Sequence, residues 1–131
     1  MSNQDYERAG PMSLSDIVTE MHADGDFSIS VLASKEGLPI ATAPRGHNSD
    51  LAAAIIALLQ KVSDETQGEL GMASVDEVTI RDQDRLRLVC RNFFAGKEEL
   101  ILAALVPPDH YYRHVTNQAI KRIQESLEVH Q

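Results

Sequence analysis

From Ser13 onward the apolar positions of this chain change period several times, and each change marks an element. Leu14, Ile17, Val18 and Met21 recur at helical spacing behind Ser13-Leu14-Ser15-Asp16, which fits a capping box, and Asp24-Gly25 stops the run. A short amphipathic helix is predicted there. From Phe27 the period becomes two, with Phe27, Ile29, Val31 and Ala33 on one face and Ser28, Ser30, Leu32 and Ser34 on the other. Lys35-Glu36-Gly37 turns the chain, Gly37 being free to take a positive φ, and Leu38 to Thr42 return antiparallel. Pro39 has no amide hydrogen to give a central ladder, which puts this second strand at a sheet edge. After the loop Pro44 to Asn48, Asn48 or Ser49 caps a long helix from about Asp50 to Thr66. At about 100° per residue, Leu51, Ile55, Leu58, Leu59 and Val62 form a stripe expected to face the sheet, with Ala53, Ile56, Ala57 and Gln60 nearly opposite. A helix covering a monomer would carry charges on that opposite side, yet none occurs from Leu51 through Leu59. Small residues on an outward face permit a second helix to approach closely, so self-association through this side is expected.

Further along, Val75 to Arg81 predicts a third strand with Val78 and Ile80 on one face. Asp82-Gln83-Asp84 turns into a fourth, where Leu86, Leu88 and Cys90 alternate with Arg85, Arg87, Val89 and Arg91, and Asn92 to Lys97 turn again at Gly96. Leu100 to Val106 is apolar without alternation, which suits a central strand covered on both faces. Pro107-Pro108 ends it, and a last helix is predicted from near Asp109 with Tyr112, Val115, Ala119, Ile120, Ile123 and Leu127 as its inner stripe. Residues 1–12 are polar with neither period and are expected to form a mobile tail ahead of a single domain over 13–128. The order predicts an α+β fold: one antiparallel sheet with the long helix on one face and the two terminal helices sharing the other.

Composition narrows the function. With 131 residues, 43% of them hydrophobic, the chain is sized for one domain that folds without metal or disulfide staples. Twenty acidic against twelve basic side chains give a formal charge of -8, which repels phosphate backbones and anionic lipid, so neither nucleic acid nor a membrane is an expected partner. The apolar run Leu100 to Val106 is far short of the roughly 20 residues that span a bilayer. One cysteine and no leader-like start point to a reducing cytoplasm. Motifs for phosphate loops, dinucleotide binding, nucleophile elbows and zinc helices are all missing, so no enzyme, cofactor or metal site is expected. His110 and His114 stand four apart, a spacing that can serve a metal, but without a third ligand they read as surface histidines. Cys90, alternating with Leu86 and Leu88, reads as core filler. Arg85, Arg87 and Arg91 share a strand face with Arg81 nearby, either as a solvated face or as a patch for an acidic protein partner.

The run Phe27-Ser28-Ile29-Ser30-Val31 leading to Lys35-Glu36-Gly37-Leu38-Pro39-Ile40-Ala41, the opening Asp50-Leu51-Ala52-Ala53-Ala54 of an alanine-rich helix, and Leu100-Ile101-Leu102-Ala103-Ala104-Leu105 before a final helix form an ordered set. With these segments the chain resembles the Roadblock/dynein light-chain family, of bacterial type, from about Ser13 to Leu127. The resemblance implies a five-stranded antiparallel sheet in the order 2-1-5-4-3, related to profilin and longin folds. It also implies a homodimer in which the middle helices pack together and the third strands pair, with Ala53, Ile56, Ala57, Gln60, Val78 and Ile80 at the interface. Family members are mostly non-catalytic platforms for Ras-like small GTPases, and some bacterial ones stimulate GTP hydrolysis by reorganising the GTPase's own residues. No catalytic side chain carries over. The polar tail and the arginine strand depart from the family pattern and leave the docking surface open. A different class of function, a small-molecule-sensing module of profilin-like or PAS-like fold with a pocket between sheet and helix, is the alternative.

Overall fold

The computed structural model describes residues 12–46 and 49–129, so the expected tail, apart from Met12, and the capping role of Asn48 lie outside the described residues. The chain order is α1 (Leu14–Gly25), β1 (Ile29–Ser34), β2 (Pro39–Ala43), α2 (Ser49–Leu70), β3 (Glu77–Arg81), β4 (Arg87–Ala95), β5 (Glu98–Val106) and α3 (Arg113–Val129). All neighbouring strands pair antiparallel in the order β2-β1-β5-β4-β3. Proline-bearing β2 therefore lies at an edge and β5 in the centre, as the pattern predicts.

The Ser13 hydroxyl accepts the Asp16 amide at 3.1 Å and so satisfies one of the donors orphaned at the start of α1. The helix stops where Asp26 takes a left-handed φ of 53°. That kink also breaks the two-residue period: Phe27 joins the core with Ile17, Val18 and Leu32, on the face opposite Val31 and Ala33. The sheet carries a core on each side. Between sheet and terminal helices lie Ile17, Met21, Phe27, Leu102, Val106 and Ile123; under α2 lie Val31, Ala33, Ile101, Ala103 and Cys90. Since β5 alternates between these two layers, its sequence has no polar face to show.

Three boundaries differ from expectation. The β4–β5 hairpin extends to Ala95 opposite Glu98, so the connection is Gly96-Lys97 alone and Asn92 to Ala95 are strand. Burial of Ala95 and packing of Phe93 against the core supply the apolar contact that a turn there would forfeit. Helix α2 runs on to Leu70, ending at Gly71 with φ 68°. Helix α3 starts at Arg113 because Asp109, at φ 64°, cannot sit in a right-handed helix; Tyr112 then accepts the Thr116 amide in its first turn.

Candidate interaction surface

Of the stripe expected to face the sheet, Leu59 does so, but Ile55, Leu58 and Val62 point away, and Ala53 and Ile56 from the expected outer side point in. Ala53 and Ile56 are 5% and 2% exposed and pack inward with Leu59 and Ser63, whereas Ile55, Leu58 and Val62 are 38%, 62% and 46% exposed. The reason lies in the β1–β2 hairpin. Gly37, at φ 90°, sits so near the helix that an added Cβ would meet the Ala53 carbonyl oxygen at 3.0 Å and the Ala57 Cβ at 3.1 Å. Beneath the helix, Ala33 and Ala103 are equally small. Small side chains at Ala53 and Ala57 thus admit the hairpin to the helix, Ile56 and Leu59 fill the space over the sheet, and Ile55, Leu58 and Val62 are turned away from it. The expected interface set is corrected accordingly: Ala53 and Ile56 are core, and Ala57 and Gln60 are half-buried at the border.

The outward stripe Ile55, Leu58, Val62 continues past Thr66 toward Leu70 and is flanked by Lys61, Glu65 and Glu69. Helix α2 packs chiefly on β1 and β2. On the same side of the sheet, toward β3, Val78 and Leu88 are half-buried at the margin of the core and Ile80 is 50% exposed. Of the expected interface residues, Val78 and Ile80 therefore do project from the side on which α2 lies. Strand β3 is the sheet's outer edge. The Asn92 amide reaches the Asp76 carbonyl at 2.9 Å and the Asp82 amide the Leu86 carbonyl at 3.0 Å, so even-numbered backbone groups face β4. Those of Glu77, Thr79 and Arg81 face outward as an unpaired strand edge.

The opposite side of β3 and β4 is polar and tied to α3. Glu77 accepts the Tyr112 hydroxyl at 2.6 Å, the Thr79 hydroxyl at 2.8 Å and an Arg113 guanidinium nitrogen at 2.8 Å, with Arg91 Nε at 3.9 Å. Burial pushes the Glu77 carboxyl up, but the Tyr112 and Thr79 hydroxyls and the Arg113 and Arg91 charges outweigh it, and the net shift is downward. The Tyr112 hydroxyl is correspondingly held above its ordinary value by that hydrogen bond to Glu77. Arg91 is itself pulled down by burial, then by Arg113, against the pull of Glu77. Sequence reasoning missed Glu77. Its alternation with Val78 and Ile80 was visible, but the register that sets it opposite Arg91 was not.

The expected acidic-partner patch does not form one exposed strand face. Arg91 donates to Thr116 at 2.8 Å and to Asn117, with a side chain only 11% exposed. Arg87 donates to the carbonyls of Pro107 and His110 and stacks over Tyr112 at 5.5 Å. Arg85 lies outside β4, in the preceding turn, at φ 71°. The amphipathic α3 covers the strand at Arg91, which no local pattern in the strand could reveal. His110 precedes α3 instead of sharing it with His114; its Nδ1 meets the Pro108 carbonyl at 2.9 Å and its Nε2 Asp26 at 3.1 Å. Those contacts, the Pro108 carbonyl first, raise its pKa. Among the described residues no group of three or more metal-binding side chains occurs. Cys90 is buried beneath α2, and that burial pushes its thiol up to about 12, far from a nucleophile's range.

No protein-family model matches the chain, and no curated protein matches it by sequence. Solved structures do match. A Roadblock/LC7 domain from Streptomyces avermitilis is 16% identical with a TM-score of 0.67, over 90% of this chain and 98% of that one. MglB of Myxococcus xanthus is 14% identical with a TM-score of 0.62, over 87% and 90%. The gliding protein MglB of Thermus thermophilus is 19% identical with a TM-score of 0.60, over 87% and 84%. At these identities the likeness is one of fold: among the described residues, three helices and a five-stranded 2-1-5-4-3 sheet in the Roadblock/LC7 arrangement.

Proposed function

We propose that this Roadblock-fold chain is a non-catalytic, cytoplasmic homodimeric platform that binds a Ras-like small GTPase and modulates its GTP hydrolysis. The observation that carries the reading is the outward stripe Ile55, Leu58 and Val62 on a helix that is uncharged where it crosses the sheet. An exposed apolar row of this kind marks a contact surface. Two such rows related by a two-fold axis bury each other, since an isologous interface is self-complementary. Val78, Ile80 and the outward backbone groups of Glu77, Thr79 and Arg81 give the same axis a strand edge to pair. The dimer interface is thus re-seated on Ile55, Leu58, Val62, Val78 and Ile80, with Ala57 and Gln60 at its rim.

The GTPase partner is inferred from fold relatives. MglB structures span most of the chain, and one is described as a tetrameric arrangement, which supports assembly beyond the dimer. Among the described residues no helix is long and apolar enough to cross a membrane. Among the described residues, the space between the sheet and the terminal helices is filled by Ile17, Phe27, Leu102 and Ile123, all buried, which gives the small-molecule-sensing alternative no support. The test passes lysate over the immobilised protein with GDP or with a non-hydrolysable GTP analogue. Retention of a small GTPase in a nucleotide-dependent way is the expected result; retention of no GTPase with either nucleotide rejects the reading.

A further inference from the structure

Away from the α2 face, Arg81, Arg85 and Arg87 line one cleft of about 270 Å³ together with Asp109, His110 and Tyr111. Its composition is unusual for a chain of charge -8. Arg81 and Arg87 are directly opposed cross-strand partners, a placement in which like charges repel. No described carboxylate lies within ion-pair distance of any of the three arginines. Asp109 is the single acid in the lining, so three guanidiniums leave a surplus of two positive charges. Arg87 is fixed as a floor by the carbonyls of Pro107 and His110 and by the Tyr112 ring, whereas Arg81 and Arg85 are exposed arms.

From this cleft we infer a binding site for a phosphomonoester dianion, gripped by Arg81 and Arg85 over the fixed Arg87. The charge decides the class. A phosphomonoester carries about -1.5 to -2 at neutral pH with three acceptor oxygens, which matches the surplus, whereas one carboxylate would leave a guanidinium unneutralised. Guanidinium forks suit phosphate geometry, and Tyr111, 90% exposed beside them, offers a flat apolar wall for whatever carries the phosphoryl group. That carrier is either a free phosphorylated small molecule or a phosphorylated residue of a partner.

The test titrates the full-length protein with phenyl phosphate and with a phosphotyrosine peptide, followed by ³¹P NMR and calorimetry. Saturable binding to at least one probe, weakened at least tenfold in both Arg81→Gln and Arg85→Gly and unchanged in Arg45→Gln, is expected. Arg85→Gly keeps the fold accessible, because its left-handed φ favours glycine, and its circular dichroism reports folding independently of binding. Phenyl phosphate binding as tightly as the peptide assigns the site to a small molecule; a peptide bound at least tenfold tighter assigns it to a partner's phosphoresidue. No saturable binding to either probe, or binding indifferent to Arg81 and Arg85, overturns the proposal.

Discussion

Replacing Leu58 by Glu separates the two faces of α2 cleanly. Leu58 keeps 62% of its surface exposed in the single chain, so the substitution removes little intrachain packing. Full burial of a leucine is worth roughly 1.5–3 kcal/mol, and covering the exposed part in a dimer therefore contributes about 1–2 kcal/mol for each copy. A two-fold interface counts the change twice, giving a loss of about 2–4 kcal/mol, or roughly a 30- to 1000-fold weaker dimer before the cost of crowding a carboxylate into an apolar seam. Sedimentation equilibrium over a concentration series reads that shift directly. The partner measurement is Ile56→Ala, which opens a cavity beneath the helix and should cost the monomer about 2–5 kcal/mol, lowering its melting point at every concentration. A Leu58→Glu protein that dimerises as tightly as the parent would refute the assignment of the outward stripe. If Ile56→Ala dissociated the dimer without lowering monomer stability, the face assignment itself would be wrong.

Three further outcomes follow from the packing. Glu77→Gln should lower the melting point at neutral pH by the equivalent of about 1–3 kcal/mol, since charged hydrogen bonds to Tyr112 and Arg113 are lost. Because the native Glu77 pKa lies below the ordinary value of 4.5, its contribution is present above that value and lost as pH falls through the depressed one, so the gap between parent and variant should close on acidification; a gap constant with pH refutes the assignment. Gly37→Ala should destabilise by about 1–2 kcal/mol from the left-handed φ alone and more from the Ala53 contact, and chemical denaturation that shows no loss would contradict the close approach. Cys90 should resist a thiol reagent in the native protein at pH 8 and react on unfolding; rapid native labelling would show that α2 does not cover it.

The edge position of β2 and the central position of β5 were legible because Pro39 and the unalternating Leu100 to Val106 each permit few placements, whereas the full strand order was implied by the family resemblance. The long helix was legible as an element but not in its orientation. When apolar residues occupy both sides of a helix, its wheel has no polar pole to aim outward, and the deciding facts are distant: Gly37 reaches the helix at Ala53 and Ala57, and Ala33 and Ala103 leave beneath it the space that Ile56 and Leu59 fill. The close approach at Gly37, not hydrophobicity alone, chose the inner face. The arginine strand failed for a related reason. Alternation correctly set Arg87 and Arg91 on one face, yet whether that face was wet depended on α3, joined to β4 through Thr116 and Asn117. At the start of α3, a left-handed residue at Asp109 delays the helix past what hydrophobic spacing indicates. The arginine cleft was hidden because Arg85 and His110 both sit in irregular backbone, where periodicity carries no information.

Glu77 binds the outermost strand to the head of the last helix through Tyr112 and Arg113, and Arg91 adds a second tether to Thr116 one turn later. Mechanically this is a crank: a pull on the sheet's rim is delivered to a rigid rod on the far side instead of fraying the rim itself. Anything that grips the rim, including a twin molecule, would then slow deuterium uptake in the first turn of that rod although it never touches it, while Glu77→Gln would disengage the linkage and leave the two ends to breathe separately.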